Sequence, residues 1–172
     1  HVQLSYGIYQ IRNINVPVNH MCDRAVMAMK TIKGSVVNRY AFYDDKLRQT
    51  MLEENAVLDE MNNALEQGQF KPYLQPVFSV DTQKPVSVEM LVRWDHPEKG
   101  LILPGQFIPL FERNGFITKL DFYIWERACE LLKQWKAENY LLPISVNISR
   151  IDLYFTRLSE HLLSLVHRYD ID

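Results

Sequence analysis

The sequence predicts an α/β fold, and three observations support this. Segments rich in β-branched and aromatic residues alternate with segments whose apolar residues repeat at helical spacing. The 172 residues are 47% hydrophobic and 23% charged, which is typical of globular proteins and excludes disordered and fibrous classes. The longest stretch without Asp, Glu, Lys or Arg is 12 residues, whereas roughly 20 are needed to span a bilayer. The alternation favours βα units around a mostly parallel sheet.

The N-terminal segment predicts a strand, a helix and a second strand. Residues 2–11 are apolar and aromatic, and 36–43 are rich in β-branched and aromatic residues, so both are predicted strands. Between them, apolar residues at helical spacing after Pro17 predict a helix over 18–33, and Gly34 provides a C-terminal stop.

Residues 46–67 predict a long helix with a narrow apolar stripe on an otherwise polar surface. Asp44 or Asp45 can cap its start and Gly68 its end. Two interpretations remain open, a connecting helix at a domain boundary and a helix that pairs with a second copy. We place the domain boundary here.

From Phe70 onward, strands again alternate with helices. Pro72 and Pro76 fit a strand at a sheet edge. Thr118 and Asp121 have the spacing of a capping box, which predicts the start of a long helix. The predicted strands are 70–80, 85–94 and 143–149, and the predicted helices are 104–114, the segment from Thr118, and 156–169.

Two of these strands carry polar side chains between apolar neighbours. Alternation places Glu89 and Arg93 on one face of the second strand, about 13 Å apart at 3.3 Å per residue, and Asn147 on the polar face of the third. Glu and Asn oxygens suit a hard cation such as Mg²⁺, Mn²⁺ or Ca²⁺, and an Arg can hold a phosphate. The alternative is a solvent-facing Glu89 and Arg93, with Asn147 bonding a loop.

The remaining features are less specific. We expect His20 and His96 on the surface, in a loop or at a helix cap, and Glu112 in solvent at the end of a helix. The net charge of −2 predicts no general affinity for nucleic acid or anionic membranes. Cys22 and Cys129 stand alone, which suits reduced thiols in a cytoplasmic protein.

The chain from Phe70 resembles the EAL family of cyclic di-GMP phosphodiesterases. The segments that carry the resemblance are YLQPVF, VSVEMLVRWDHPEKGLILPGQFIPLFERNGFI, LDFYIWERACELLKQW and ISVNIS, in the family's order. The preceding segments LSYGIY, CDRAVMAMKTIKG and RYAFYDD resemble, more loosely, the C-terminal end of a GGDEF domain. These resemblances imply a GGDEF-like part over 1–45, a connecting helix over 46–68 and the N-terminal part of an EAL domain over 69–172.

The resemblance also implies a fold, a reaction and a set of site residues. The fold is a TIM-type barrel, of which this chain would hold only the first strands and helices. The reaction is hydrolysis of cyclic di-GMP to the linear dinucleotide with Mg²⁺ or Mn²⁺, with Ca²⁺ as an inhibitory or structural substitute. The implied metal ligands are Glu89 and Asn147, the implied nucleotide contacts are Gln75, Leu91 and Arg93, and Glu112 supports the site.

Two departures from the family pattern matter. The signature tripeptide has Met90 in place of Ala, and alternation turns this side chain away from Glu89, so we expect altered packing rather than lost metal binding. The family's later acidic ligands and its catalytic lysine are absent from this chain, so no complete catalytic set is present. We therefore expect a piece of a longer protein that is inactive alone, with the remainder supplied by the rest of the same protein or by an oligomer.

Two alternatives to a phosphodiesterase stay open. One is an EAL module that binds cyclic di-GMP as a receptor without cleaving it. The other is a protein-interaction or dimerisation scaffold centred on the helix 46–67.

Overall fold

A computed structural model describes residues 4–35, 37–155 and 157–171, which divide into two compact units. The first unit extends to Val57 and the second begins at Leu58. Helix α2 (Asp45–Glu66) runs across this boundary. The carboxylate of Asp44 accepts a hydrogen bond from the backbone N–H of Leu47 at 2.6 Å, which confirms the predicted N-terminal cap.

The first unit is a β-α-β arrangement. Strands β1 (Tyr6–Ile8) and β2 (Tyr40–Phe42) pair in parallel, and α1 (Val18–Thr31) connects them. A Cβ at Gly7 would lie 1.7 Å from the backbone oxygen of Ala25, so only glycine permits this close approach of helix and strand. Both strands are shorter than predicted, and residues 2, 3 and 36 lie outside the described residues.

The second unit places a four-stranded sheet against helices. The elements of this unit are β3 (Phe70–Phe78), β4 (Pro85–His96), β5 (Gly100–Ile102), α3 (Pro104–Asn114), α4 (Ile117–Ala137), β6 (Ile144–Val146), a short 3₁₀ helix (Asp152–Tyr154) and α5 (Leu158–Tyr169). The central strand β4 pairs antiparallel with β3 and β5 and parallel with β6.

The expectation of a mostly parallel sheet is wrong for this unit, because among its described strands only the β4–β6 pair is parallel. The physical reason was available in the sequence. Six residues connect β3 to β4, whereas a parallel connection needs a crossover of about a dozen or more. The missed strand β5 follows β4 through a still shorter turn of three residues. The edge position predicted for β3 from its two prolines is confirmed.

One face of β4 builds the core. Val88, Met90 and Trp94 are buried, as alternation predicts, whereas Val86 at the strand's start is exposed. Trp94 lies in a cluster of aromatic rings with centroids 4.8–6.2 Å apart, formed with Phe70, Phe107, Phe111 and Phe116. This core fixes the backbone of β4 and therefore the direction of its opposite, polar face.

The expectation that His96 lies on the surface is wrong, because its side chain is buried at the end of β4. Its Nδ1 accepts hydrogen bonds from the backbone N–H groups of Glu98 and Lys99, each at 3.1 Å. Its Nε2 contacts the carboxylate of Glu60 on α2, which also pairs with Lys99 at 2.9 Å. These partners make burial of the imidazole favourable.

Among the described residues, no helix combines the length and apolarity that a membrane span requires.

Candidate functional site

Glu89 and Asn147, the two metal-ligand candidates from the sequence, lie next to each other. Glu89 is on β4, opposite Gln75 of β3 on one side and opposite Ser145 of β6 on the other. Asn147 directly follows β6, and its side-chain Nδ2 donates a hydrogen bond to Oε1 of Glu89 at 3.1 Å. Strand pairing therefore brings together two residues that are 58 positions apart in the sequence.

The other candidates lie around this pair. A cavity of about 260 Å³ is lined by Leu91, Arg93, Glu112 and Asn147, with apolar side chains from α3 and α4. Gln75 is absent from this lining, and the strand register places it opposite Glu89. The cavity thus combines one guanidinium, two carboxyl groups, one hydroxyl and one amide side chain with an apolar wall.

Arg93 is oriented within this arrangement by two contacts. Its Nη1 donates to the backbone oxygen of Val92 at 2.9 Å, and its guanidinium carbon lies 5.8 Å from the centroid of the Tyr73 ring. Glu112, half-buried at the end of α3, also lines a neighbouring concavity with Arg113, Arg150, Ile151 and Tyr154. Glu112 is therefore less solvated than the sequence predicted.

Beside the same cavity lies a pair of carboxyl groups that the sequence reasoning missed. Asp121 of α4 lines the cavity and is hydrogen-bonded to Asp152, whose side chain is fully buried. Burial, together with the hydrogen bond and the negative charge of neighbouring Asp152, raises the pKa of Asp121 to about 8. Burial also opposes ionisation of Asp152, but hydrogen bonds from Asp121, Ser149 and Thr118 outweigh it and lower the pKa of Asp152.

These pKa shifts describe one shared proton. Two carboxyl groups hydrogen-bond each other only when one of them is protonated, and the shifts assign the proton to Asp121. At neutral pH the pair therefore carries a single negative charge, held mainly by Asp152.

The capping box predicted at Thr118 and Asp121 is wrong. Helix α4 begins at Ile117, and no side chain caps its first turn. The two side chains point instead toward Asp152. A reciprocal capping arrangement is found between Ser149 and Asp152, where Ser149 N–H donates to Asp152 Oδ2 at 3.0 Å and Asp152 N–H donates to Ser149 Oγ at 3.2 Å. The Ser-x-x-Asp spacing was a signal that could have located it.

Glu89 and Asn147 supply the types of donor that a hard cation prefers, a carboxylate and an amide oxygen. In the described part of the chain, no group of three or more His, Cys, Asp or Glu side chains is placed to hold a metal ion. The pair therefore fits part of a coordination sphere for a divalent cation rather than a complete one.

Comparison with known proteins places this unit in a family. The sequence profile of the EAL domain matches residues 58–172, which is more than half of the chain. The chain belongs to the EAL domain family. Its EAL segment includes every site candidate described above.

Individual relatives agree with this assignment. The chain is 29% identical over 146 residues to the Pseudomonas aeruginosa protein MucR, named a bifunctional diguanylate cyclase/cyclic di-GMP phosphodiesterase, covering 84% of this chain and 21% of MucR. It is 36% identical over 113 residues to Escherichia coli cyclic di-GMP phosphodiesterase PdeL, covering 63% of this chain and 30% of PdeL. The solved structure of the MucR phosphodiesterase in complex with c-di-GMP matches with a TM-score of 0.65 at 30% identity, covering 67% of this chain and 47% of that one.

The alignments also show how much of each relative this chain covers. The chain spans less than a third of the length of either relative and less than half of the solved MucR phosphodiesterase. The chain therefore corresponds to one part of each of those proteins.

Proposed function

We propose that the EAL segment is the N-terminal part of a phosphodiesterase barrel that hydrolyses cyclic di-GMP to the linear dinucleotide. The observation that carries the proposal is the 3.1 Å contact between Glu89 and Asn147, formed across two strands beside a cavity that also contains Arg93. Its support from relatives is that MucR and PdeL are named cyclic di-GMP phosphodiesterases.

The proposed metal ligands are Glu89 and Asn147, with Mg²⁺ or Mn²⁺ as the cation. A divalent cation at this site would lower the pKa of a bound water and neutralise charge on the phosphodiester. The remaining ligands would be waters, phosphate oxygens and side chains from outside the described residues, since Mg²⁺ demands near-octahedral coordination.

The proposed substrate contacts follow from the chemistry of the cavity. Arg93 offers a planar cation to a phosphate, and it is oriented by the bond from Nη1 to the Val92 carbonyl and by the Tyr73 ring, whose centroid lies 5.8 Å from the guanidinium carbon. Gln75 and Leu91 flank Glu89 on the sheet and would contact the nucleotide, with Glu112 supporting the far wall. Met90, which replaces the Ala of the family's signature, is 1% exposed and lines the same cavity as Asn147 and Arg93.

We also propose that the barrel is completed by residues outside this chain. Every residue of β3 after Phe70 is exposed, and β6 pairs with β4 alone among the described strands. Both are arrangements that further strands and helices of a barrel would cover. An oligomer would cover the same edges, and the size of the particle in solution distinguishes the two.

For the segment before α2 we propose the C-terminal part of a GGDEF domain in a cytoplasmic signalling protein. The similarity to MucR covers 84% of this chain and so reaches upstream of residue 58. The segment folds as β1-α1-β2, the order of elements that the sequence pattern predicts for it. In this proposal, 1–45 is the GGDEF-like part, 46–68 the connecting helix and 69–172 the EAL part.

The experiment that tests the function is a hydrolysis assay on the full-length protein with Mg²⁺ or Mn²⁺, following the linear dinucleotide by chromatography. Glu89→Ala and Asn147→Ala are expected to reduce turnover by at least about 100-fold, because each removes a proposed metal ligand. Glu66→Gln, an exposed change at the end of α2, serves as the matched control and should keep the parent rate. Tight binding of cyclic di-GMP without turnover would instead identify a receptor, and absence of both would refute the proposal.

A further inference from the structure

The turn that follows β6 is anchored through hydrogen bonds by buried side chains that are separate from the Glu89–Asn147 contact. It contains Asn147 at its start and the Ser149–Asp152 capping arrangement at its end. Ser149 Oγ also donates to Asp152 Oδ2 at 2.6 Å, so one carboxylate oxygen binds both the backbone and the side chain of Ser149. With the backbone bond from Asp152 N–H to the Ser149 oxygen at 3.1 Å, four hydrogen bonds fix the four-residue turn internally.

A second contact fixes the backbone of Asn147 itself. The indole Nε1 of Trp125 donates to the backbone oxygen of Asn147 at 2.9 Å. Trp125 is 2% exposed on α4 and its ring lies 5.2 Å from that of Phe122. A buried and tightly packed donor leaves the Asn147 carbonyl little freedom to move.

The anchoring carboxylate is equally rigid. Asp152 is fully buried, and Asp121 of α4 hydrogen-bonds its side chain. Both contacts to the turn therefore originate on one helix, Trp125 directly and Asp121 through Asp152. The Asn147 side chain extends from this turn to Glu89.

We propose that Trp125 and Asp152 are positioning residues, which set the orientation of the Asn147 side chain toward Glu89 from the buried face of α4. The part of this proposal that concerns metal affinity rests on the proposed function. Groups that orient a metal ligand through hydrogen bonds typically change metal affinity about 10- to 100-fold when removed, although they never contact the metal.

The test uses the full-length protein and two readouts, neither of which is turnover. The first is Mn²⁺ affinity, measured by electron paramagnetic resonance without nucleotide. The second is the side-chain amide resonance of Asn147 in the metal-free protein, assigned by its loss in Asn147→Ala. Asp152→Ala and Trp125→Phe each remove one of the two anchors, and Asp81→Ala in the exposed turn after β3 is the matched control.

The expected result is a shifted or broadened Asn147 resonance and a loss of Mn²⁺ affinity of about tenfold or more in both anchor variants, with no change in the control. Asp152→Asn should restore both readouts, because its amide oxygen can accept the same two bonds from Ser149 and its N–H can donate to Asp121. If Asp152→Ala does not fold, Ser149→Ala removes the hydroxyl of the same contact and should give a smaller shift in the same direction.

The two proposals fail in different ways. Unchanged resonance and unchanged Mn²⁺ affinity in the anchor variants would overturn the positioning role while leaving the proposed function intact. The anchor variants could instead shift the Asn147 resonance while the parent protein binds no Mn²⁺. That result would support the positioning of Asn147 and contradict the proposed metal site.

Discussion

Two polar pairs lie at opposite ends of the same turn and differ in their exposure. Glu89 and Asn147 face open space, and their hydrogen bond is solvent-exposed. Asp121 and Asp152 are held between α4 and the turn, where Asp152 is 0% exposed and shares a proton with its partner. The difference shows how one loop separates two roles. The exposed pair keeps its oxygen atoms available to a ligand, and the buried pair uses its own to hold the loop in place.

The largest expected effect is a difference in the free energy of unfolding between a variant of the buried pair and a variant of the exposed pair. Asp152→Ala should lower the free energy of unfolding by about 3 kcal/mol, because it strands the buried partners of a hydrogen-bonded carboxylate. Asn147→Ala should change it by less than about 1 kcal/mol, since its side-chain bond is exposed. Urea denaturation of both variants measures the difference. Equal losses would mean that the two pairs do not differ as described.

The second prediction concerns pH. The pKa of Asp121 is raised from 3.8 to about 8 in the folded protein, so the folded state holds a proton that the unfolded chain releases. Its contribution to stability is complete below pH 3.8, declines as pH rises, and is lost above about pH 8. Unfolding midpoints in urea should therefore decrease between pH 5 and pH 8.5.

Asp121→Asn supplies the control for this pH dependence. An amide N–H can donate to Asp152 as the protonated carboxyl does, and it does not titrate. The variant should fold and show a flatter stability profile over the same range. A decline as steep as that of the parent would show that another group is responsible.

How much of this comparison was predictable differs between the pairs. Side-chain alternation predicted that Glu89 and Asn147 lie on polar faces of their strands, whereas their proximity depends on the pairing of β4 with β6. The Asp121–Asp152 pair was not predicted, because an Asp three residues after a Thr has the same spacing in a helix cap and in a buried contact. His96 was missed for a related reason, since its burial depends on Glu60, 36 residues away. The short connections from β3 to β4 and from β4 to β5 favour antiparallel pairing, because a parallel connection needs a longer crossover. The alternation of strands with helices favoured a parallel sheet, and this was the wrong signal here.

A third prediction addresses the exposed pair's surroundings. Arg93→Lys should weaken cyclic di-GMP binding by the full-length protein about tenfold, because a lysine loses the planar, multiply donating cation and the stacking on Tyr73. Isothermal titration calorimetry measures this, and thermal unfolding should be unchanged. Arg157→Lys, exposed and away from the cavity, is the matched control. Equal affinities in parent and Arg93→Lys would remove Arg93 from the site.

The smallest effect is expected at the Glu60–His96–Lys99 contact. Hydrogen bonds from Lys99, and secondarily from His96, lower the pKa of Glu60 below 4.5, so its contribution to stability is present above that pH and lost at more acidic pH. Glu60 is 40% exposed, and Glu60→Gln should cost no more than about 1 kcal/mol at pH 7. A loss as large as that expected for Asp152→Ala, again from urea denaturation, would contradict the contrast between exposed and buried carboxylates.

The measurement that tests the central claim most directly is a crystal structure of the full-length protein with Mn²⁺, collected for anomalous scattering. The account predicts an anomalous peak within about 2.5 Å of both a Glu89 oxygen and the Asn147 side-chain oxygen. A peak elsewhere, or a Glu89–Asn147 hydrogen bond that persists while Mn²⁺ occupies another site, would contradict it.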